Sequence, residues 1–187
     1  FQGLPIFFRQ DRVGNNFIVF RIYKFRTMVH NSGNLITKIS DNRITFLGKF
    51  LRKSKLDEIP QLLNILKGEM RFVGPRPEVL KYFKKEDFQF LKKIKPGISD
   101  YASIILRDEE KILSKIGGKN PYSKLLPVKL SLANYYSKNK SFFLDLKIVL
   151  LTVIAIFFPK ISIKDFFITQ IKADLPELES FINDYLI

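Results

Sequence analysis

Apolar residues recur at positions 56, 59, 62, 63 and 66 of the chain. This spacing matches one face of an α-helix. Pro60 lies in the first turn of such a helix, where its missing N–H costs little, and Gly68 is a typical residue after a helix end. The pattern therefore predicts a single helix over residues 56–66, with Asp57 near its N-cap and Glu58 in its first turn.

Near the N-terminus the pattern is typical of β-strands. Residues 4–8 and 17–28 are predicted strands, joined by the turn signal Gly14-Asn15-Asn16. In the second strand Ile18, Phe20 and Ile22 fall on one face, and Lys24 and Arg26 continue that face. Two cations at a strand end could hold one anion; a solvated strand end is the alternative.

Residues 43–55 predict a short amphipathic helix. Leu47, Phe50 and Leu51 form its apolar side, and the basic residues around them are Lys49, Arg52, Lys53 and Lys55. This pattern is typical of a basic element on a membrane surface, with Lys49, Lys53 and Lys55 facing the lipid. A charged helix on a soluble core gives the same pattern, so both interpretations stand.

The rest of the chain is mostly helical in pattern. Further helices are predicted over residues 82–95, 107–116, 129–137 and the end of 164–187, with loops over 31–41 and around Pro121 and Pro127. Residues 142–158 are the most apolar stretch but include Asp145 and Lys147. They fall just short of a comfortable spanning length, so we expect them to lie in or on a membrane or against the core.

These elements predict an α+β fold, mainly helical, with a small N-terminal β-hairpin and amphipathic helices at a membrane surface. A chain of 187 residues is long enough for one domain with a real core. We expect residues 1–141 to form the main unit. Residues 142–187, the apolar helix and tail, should pack on it or on the membrane, within the same domain.

Composition narrows the choice of partner. The formal net charge is +14, which implies an anionic partner such as nucleic acid, an anionic membrane or phosphorylated small molecules. The chain has no Cys and one His, which excludes disulfides, thiolate metal sites and His-rich zinc sites. It begins at Phe1 without a signal-like segment, and we interpret it as part of a longer polypeptide.

The adjacent carboxylates Asp57 and Glu58 have two interpretations. As structure, an Asp caps a helix and a Glu in the first turn favours the helix dipole. As chemistry, a carboxylate kept ionised by a low pKa can attack phosphorus, and its neighbour can share a magnesium ion. The candidate positive contacts to phosphate are Arg52, Lys24, Arg26 and Arg76.

Residues 74–78 read Gly-Pro-Arg-Pro-Glu, a rigid segment. Pro75 and Pro77 fix the backbone on either side of Arg76. A stiff frame suits a pre-organised anion contact. An ordinary loop with a solvated Arg76 is the alternative.

Taken together in order, these pieces resemble the bacterial sugar transferases, the monotopic phosphoglycosyl transferases, over roughly residues 3–155. The matching segments are PIFFRQDRVG at 5–14, KFRTM at 24–28, RITFLG at 43–48, RKSKLDEIPQL at 52–62, FVGPRPE at 72–78, KPGI at 95–98 and LDLKI at 144–148. Each segment alone is weak evidence, whereas their order and spacing together are highly specific.

The resemblance implies an enzyme that transfers a phosphosugar from a UDP-sugar to polyprenyl (undecaprenyl) phosphate and releases UMP. It implies that Asp57 is the nucleophile and forms a covalent aspartyl phosphosugar, and that Glu58 helps to hold Mg²⁺ or assists the acceptor. Arg52 and Arg76, and more weakly Lys24 and Arg26, would contact phosphate within the frame of Pro75 and Pro77. The implied setting is the cytoplasmic face of the bacterial plasma membrane, at the first membrane step of envelope glycan synthesis, with an oligomer allowed.

Two features depart from the family pattern. The hydrophobic re-entrant helix with which members normally begin does not occur in this sequence, and Asp100 stands where many members have Gly. The rival functions are a basic nucleic-acid-binding module and a membrane-surface adaptor without catalysis. The first would need a helix-turn-helix, RNP or zinc pattern, and the sequence has none of these, so we expect no nucleic-acid partner.

Overall fold

The structure is a computed structural model, and it describes residues 4–29, 41–158, 168–169, 171 and 174–186. The predicted loop over residues 31–41 lies outside the described residues except for Asp41. The fold class is as predicted: mainly helical, with a small antiparallel sheet near the N-terminus.

The N-terminal hairpin is confirmed, but its first strand was placed wrongly. Strand β1 (Phe7–Val13) pairs antiparallel with β2 (Val19–Phe25), so that Phe7 lies opposite Phe25. Residues 9–12 are polar and lack a strand pattern. They are extended because they pair with β2 and because the segment after Pro77 covers their far end, where the Val13 N–H donates to the Glu78 carbonyl at 3.0 Å.

Helix α1 (Phe46–Lys53) is held against the end of the hairpin. The Thr45 hydroxyl caps its N-terminus by accepting from the Gly48 N–H at 3.0 Å, and the Thr45 N–H donates to the Thr27 carbonyl at 3.0 Å. A Cβ on Gly48 would lie 2.0 Å from that same carbonyl oxygen, so only glycine allows the helix to approach this closely.

The single helix predicted over residues 56–66 is wrong. A 3₁₀ helix (Leu56–Gln61) is followed by the short helix α2 (Leu62–Leu66). Pro60 has no N–H to donate to the Leu56 carbonyl, so the α-helical pattern cannot be completed there. Lys55 lies in the left-handed region at φ 59°, which turns the chain sharply from α1 into the 3₁₀ helix.

Two further predictions are wrong. Residues 82–95 do not form an α-helix. The 3₁₀ turns Leu80–Tyr82 and Gln89–Lys92 lie at the two ends of this stretch, and the Phe88 ring packs at a tilt against the rings of Phe83 and Phe90. Pro127 lies inside helix α5 rather than in a loop. The buried face of α5 offsets the hydrogen bond that Pro127 cannot make.

The remaining elements enclose the main core. They are β3 (Arg71–Val73), which pairs in parallel with β4 (Gly97–Ser99), and the helices α3 (Tyr101–Ile105), α4 (Glu109–Ile116), α5 (Tyr122–Asn139), α6 (Phe142–Phe157) and α7 (Pro176–Tyr185). Leu125, Leu132 and Tyr136 of α5 lie at the centre of this core. Helices were expected at the positions of α4, α6 and α7 and over the C-terminal part of α5, whereas α3 and the parallel strand pair were not predicted.

Helix α6 has two different faces. Ile148 and Ala155 are buried in the same core as α5, while the large apolar side chains exposed along the helix are Phe142, Phe143, Leu146, Leu150, Val153 and Phe157. None of the helices in the described part of the chain combines the length and apolarity needed to cross a bilayer. The division of the chain at residue 141 stays a prediction.

Candidate active site

The segment that carries Asp57 and Glu58 is inverted relative to an ordinary core helix. Its polar residues Asp57, Glu58, Gln61 and Asn64 are buried, and its apolar residues Leu56, Ile59, Leu62, Leu63 and Leu66 are exposed, Leu66 at 83%. The apolar periodicity was read correctly, but the apolar face points outward and the polar face points into the protein. The carboxylates are therefore shielded from water.

Asp57 lies in the first turn of the 3₁₀ helix and is only 7% exposed. Its Oδ1 is buried and has no hydrogen-bond partner among the described residues. Burial raises the pKa of Asp57; Glu58 raises it further, and Lys24 opposes the rise. The expectation of a lowered pKa is wrong, because no side-chain cap forms at this end and desolvation outweighs the helix terminus.

Glu58 is buried beside Asp57 but is fully partnered. Both of its oxygens accept from the Arg76 guanidinium, at 3.2 Å from Nη1 to Oε2 and in a shorter contact from Nη2 to Oε1. Lys24 Nζ donates to Oε1 at 2.7 Å. Burial alone would raise the pKa of Glu58, but the charges of Arg76 and Lys24 outweigh it and hold that pKa well below its ordinary value. Glu58 is therefore ionised at neutral pH.

The two cations respond in opposite ways to this arrangement. The Glu58 charge raises the pKa of Arg76 despite its burial. Burial lowers the pKa of Lys24 to about 8, although Glu58 opposes the change. Lys24 consequently stays largely protonated at neutral pH, and it is the cation here that can lose its proton in mild alkali.

The other two predicted phosphate contacts lie apart from this cluster or are engaged elsewhere. Arg52, in the last turn of α1, forms an ion pair with Glu110 and donates to the Thr27 hydroxyl at 3.5 Å. Arg26, just beyond β2, donates to the Leu4 carbonyl at 3.3 Å. The structure thus gathers Asp57, Glu58, Lys24 and Arg76 in one cluster and connects Arg52 to α4.

Pro75 and Pro77 flank Arg76 in a segment anchored on both sides. The Gly97 N–H donates to the Pro75 carbonyl at 3.0 Å, and Arg12 Nη1 donates to the Pro77 carbonyl at 3.0 Å. Gly97 is required at this approach, since a Cβ on it would lie 2.2 Å from the Gly74 nitrogen. The rigid frame inferred from the two prolines is thus reinforced by tertiary contacts.

Sequence reasoning missed several residues of this site. Asn64 is fully buried and joins α2 to β2, because its Nδ2 donates to the Arg21 carbonyl at 2.8 Å and its Oδ1 accepts from the Tyr23 N–H. Gln61 Nε2 is buried without a partner among the described residues. Their spacing from Asp57 and Glu58 forms a second, polar helical stripe, which was a signal available in the sequence.

The carboxylate oxygens near Asp57 and Glu58 decide whether Mg²⁺ could bind at this site. The described residues contain no group of three or more His, Cys, Asp or Glu side chains able to hold a metal ion. Mg²⁺ often binds to one or two carboxylates and completes its shell with water and substrate phosphate. The unpartnered Asp57 Oδ1 fits that mode, whereas both Glu58 oxygens are already engaged by cations.

Chemically, the cluster combines one unpartnered carboxylate oxygen with positive charge. Asp57 is the better nucleophile of the pair, because Glu58 is neutralised by two cations. The positive charge of Arg76 and Lys24 would also favour an incoming phosphate. This combination suits attack on phosphorus.

The sequence model of the family described as "Bacterial sugar transferase" matches residues 1–159. The relatives include the uncharacterized sugar transferase EpsL of Bacillus subtilis, 40% identical over 156 residues, which cover 81% of this chain and 69% of EpsL. A UDP-N-acetylgalactosamine-undecaprenyl-phosphate N-acetylgalactosaminephosphotransferase of Aeromonas hydrophila is 36% identical over 157 residues, covering 80% of this chain and 34% of that protein.

A third relative is the UDP-glucose:undecaprenyl-phosphate glucose-1-phosphate transferase of Escherichia coli, 35% identical over 158 residues, covering 80% of this chain. The aligned segment is 32% of the E. coli protein. The chain therefore spans about a third of the length of the relatives whose names state a reaction, and about two thirds of EpsL.

The opposite environments of the two carboxylates predict opposite effects on stability. We expect Glu58→Gln to lower the free energy of unfolding at pH 7 by about 3–5 kcal/mol, because it leaves Arg76 and Lys24 without their counter-ion. Asp57→Asn should raise the free energy of unfolding, since it removes a buried charge whose Oδ1 has no hydrogen-bond partner among the described residues. Urea denaturation of the two variants beside wild type measures both effects.

The pH dependence separates charge from packing. The folded-state pKa of Glu58 is lowered, so its contribution is present above the unfolded value of about 4.3 and is lost as the pH falls through the folded value. Wild type and Glu58→Gln should therefore converge in acid. A stability difference that is independent of pH would contradict the ion-pair account.

Proposed function

This chain belongs to the bacterial sugar transferase family, and we propose that it transfers a phosphosugar from a UDP-sugar to polyprenyl phosphate with release of UMP. The relatives' names support this class of reaction, since two of them state a nucleotide-sugar donor and undecaprenyl phosphate as acceptor. The observation that carries the proposal is the buried Asp57 Oδ1, which has no hydrogen-bond partner in the described part of the chain, beside a Glu58 that two cations hold.

In the first step Asp57 attacks the phosphorus that bears the sugar. A bond forms between its carboxylate oxygen and phosphorus, the bond from phosphorus to the bridging oxygen breaks, and UMP leaves with that oxygen. In the second step an oxygen of polyprenyl phosphate attacks the same phosphorus, and the aspartyl bond breaks. The product is polyprenyl diphosphate sugar, and Asp57 is regenerated as a carboxylate.

Arg76 and Lys24 would have two tasks in this scheme. They neutralise Glu58, so that its negative charge disturbs Asp57 less, and they leave a positive field at the position of the donor diphosphate. Each cation carries further N–H groups that do not point to Glu58 and can contact phosphate. The charge of Arg52 already acts to lower the pKa of Asp57, and in this scheme Arg52 would contact the donor by exchanging Glu110 for phosphate.

Magnesium fits this proposal through Asp57 together with the donor phosphates. When bound, the cation supplies charge that reduces the repulsion between a carboxylate and a diphosphate. Glu58 contributes through its field and by holding Arg76 in place, since both of its oxygens are taken. Of the two carboxylates, Asp57 would therefore be the main ligand of the metal ion.

We also propose that the site lies against a membrane surface, at the cytoplasmic face of the bacterial plasma membrane. The exposed apolar side chains of α1, with Phe46 at 94% and Phe50 at 60%, belong to the element that contacts the 3₁₀ helix carrying Asp57. Exposed lysines Lys49, Lys53 and Lys55 accompany them. This combination is typical of an element that rests on an anionic bilayer, and the acceptor is a lipid.

The central test is Asp57→Asn in the full-length protein supplied with undecaprenyl phosphate and a panel of UDP-sugars. We expect UMP release to fall by at least about a thousandfold, because an amide cannot form the bond to phosphorus. Intact-mass spectrometry of wild type quenched before acceptor is added should show a hexose-phosphate-sized adduct on Asp57.

The control is the free energy of unfolding of Asp57→Asn. We expect it to be at least that of wild type, because the substitution removes a buried charge. Full turnover by Asp57→Asn would refute the nucleophile assignment. Salt-sensitive DNA binding without UMP release from any UDP-sugar would instead favour a nucleic-acid-binding module. Liposome binding without turnover in wild type would favour an adaptor.

Metal dependence is tested separately. Excess EDTA is expected to abolish turnover, and added Mg²⁺ should restore it, because the nucleophile and the diphosphate are both anionic. Turnover that persists in excess EDTA would remove the metal from the proposal and leave the cations Arg76 and Lys24 as the source of neutralising charge.

Charge reversal tests the membrane surface. Lys49→Glu/Lys53→Glu should weaken binding to vesicles of anionic lipid by about tenfold or more, since each basic residue near such a surface contributes about 1 kcal/mol. Lys119→Glu/Lys124→Glu is the matched control, with the same charge change at exposed residues of another segment. Equal effects of the two pairs would show that net charge alone, rather than α1, governs binding.

A further inference from the structure

Asp100 is a buried carboxylate between β4 and α3 that the proposed reaction does not use. It is 4% exposed, and burial raises its pKa. Its Oδ1 accepts from the Ser103 N–H at 2.7 Å, which caps α3, and the Ser103 hydroxyl accepts from the Asp100 N–H at 2.9 Å. Its Oδ2 accepts from the backbone N–H of Arg76 at 3.1 Å.

Helix capping does not account for a carboxylate at this position. Asn and Ser cap helices about as well as Asp and do so without burying a charge. An Asn side chain offers one acceptor oxygen, however, and its other end is an NH₂ donor that would face the Arg76 N–H. The contact with Arg76 therefore distinguishes Asp from the other capping residues.

The Arg76 N–H is an unusual group to anchor. Pro75 and Pro77 have no N–H, so Arg76 supplies the sole amide donor of the Pro-Arg-Pro segment. The Asp100 contact fixes the Arg76 backbone between the two rigid rings, whose own carbonyls are held by Gly97 and Arg12. From that position the Arg76 side chain reaches both oxygens of Glu58, the neighbour of Asp57.

These contacts form one connected line from the cap of α3 to the proposed nucleophile. We propose that Asp100 is a positioning residue, which holds the Arg76 backbone so that its guanidinium stays engaged with Glu58 beside Asp57. The proposal rests on the proposed function, because it assigns to Asp100 a part in preparing that same site.

The experiment compares Asp100→Asn with Ser103→Ala in the full-length protein. The first keeps an acceptor for the Ser103 N–H and loses the acceptor for the Arg76 N–H. The second removes the hydroxyl from the α3 cap and leaves the Arg76 contact intact. Three quantities are measured: the melting temperature, kcat and KM for the UDP-sugar, and the pKa of Glu58 by carboxyl carbon NMR.

For Asp100→Asn we expect kcat to fall between about tenfold and a hundredfold, since a displaced Arg76 leaves the site misaligned. The Glu58 pKa should rise, because its cation has moved away. Simple removal of the negative charge of Asp100 would shift that pKa in the opposite direction, downward, so the sign separates positioning from a through-space effect. Ser103→Ala should lower the melting temperature by a few degrees and leave kcat within about twofold.

An Asp100→Asn variant with wild-type kcat and an unchanged or lowered Glu58 pKa would overturn the proposal. So would equal losses of kcat in both variants in proportion to their melting temperatures, which indicate a structural role only. If Asp100→Asn does not fold, Asp100→Ser, which also caps a helix, takes its place with the same expectations. Should wild type release no UMP, the proposed function fails, while the Glu58 pKa still decides the role of Asp100.

Discussion

Glu58 lies buried between Arg76 and Lys24, and the rest of the site depends on this triad of charged residues. Each charge would be costly in the interior without the others. Together they bring the end of the hairpin, the 3₁₀ helix and the Pro-Arg-Pro segment to one point, although these elements are far apart in the sequence. The net charge of the triad is positive. Asp57 lies beside it, and none of the described residues forms a hydrogen bond to its Oδ1.

The two neighbouring carboxylates thus have different environments. Glu58 is stabilised in its charged form, whereas burial destabilises charged Asp57. Pairs of carboxylates whose pKa values are shifted in opposite directions are typical of catalytic sites. In this protein the difference arises because the cations contact Glu58, whereas one buried oxygen of Asp57 has no hydrogen bond to any residue that the structure describes. The burial of charged Asp57 is unfavourable for stability, and it occurs at the position where the proposed reaction needs a reactive oxygen.

In residues 56–66 the apolar side chains are exposed and the polar side chains are buried, so the active-site segment has an apolar outer surface. A segment that buries its polar side and exposes leucines is unfavourable in water unless something covers the leucines. The proposed contact with a bilayer would meet that requirement and would bring the proposed lipid acceptor close to the buried side of the same segment. The apolar face that points outward and the carboxylates that point inward would then serve the same reaction. They lie on opposite sides of one short 3₁₀ helix.

The local patterns in the sequence determined that there is an N-terminal hairpin, α1, helices near α4, α6 and α7 and in the C-terminal part of α5, and that Arg76 lies in a stiff Pro-Arg-Pro segment. They did so because turn residues, apolar periodicity and proline restrict the backbone through contacts between near neighbours. Periodicity shows which residues share a face, but not whether that face points inward, so only the tertiary structure decided that the leucines around Asp57 are exposed. The choice of Glu58 rather than Asp57 as the partner of Arg76, the raised pKa of Asp57 and the contact from Asp100 to Arg76 were likewise decided there, since each depends on burial and on charges that lie far away along the chain.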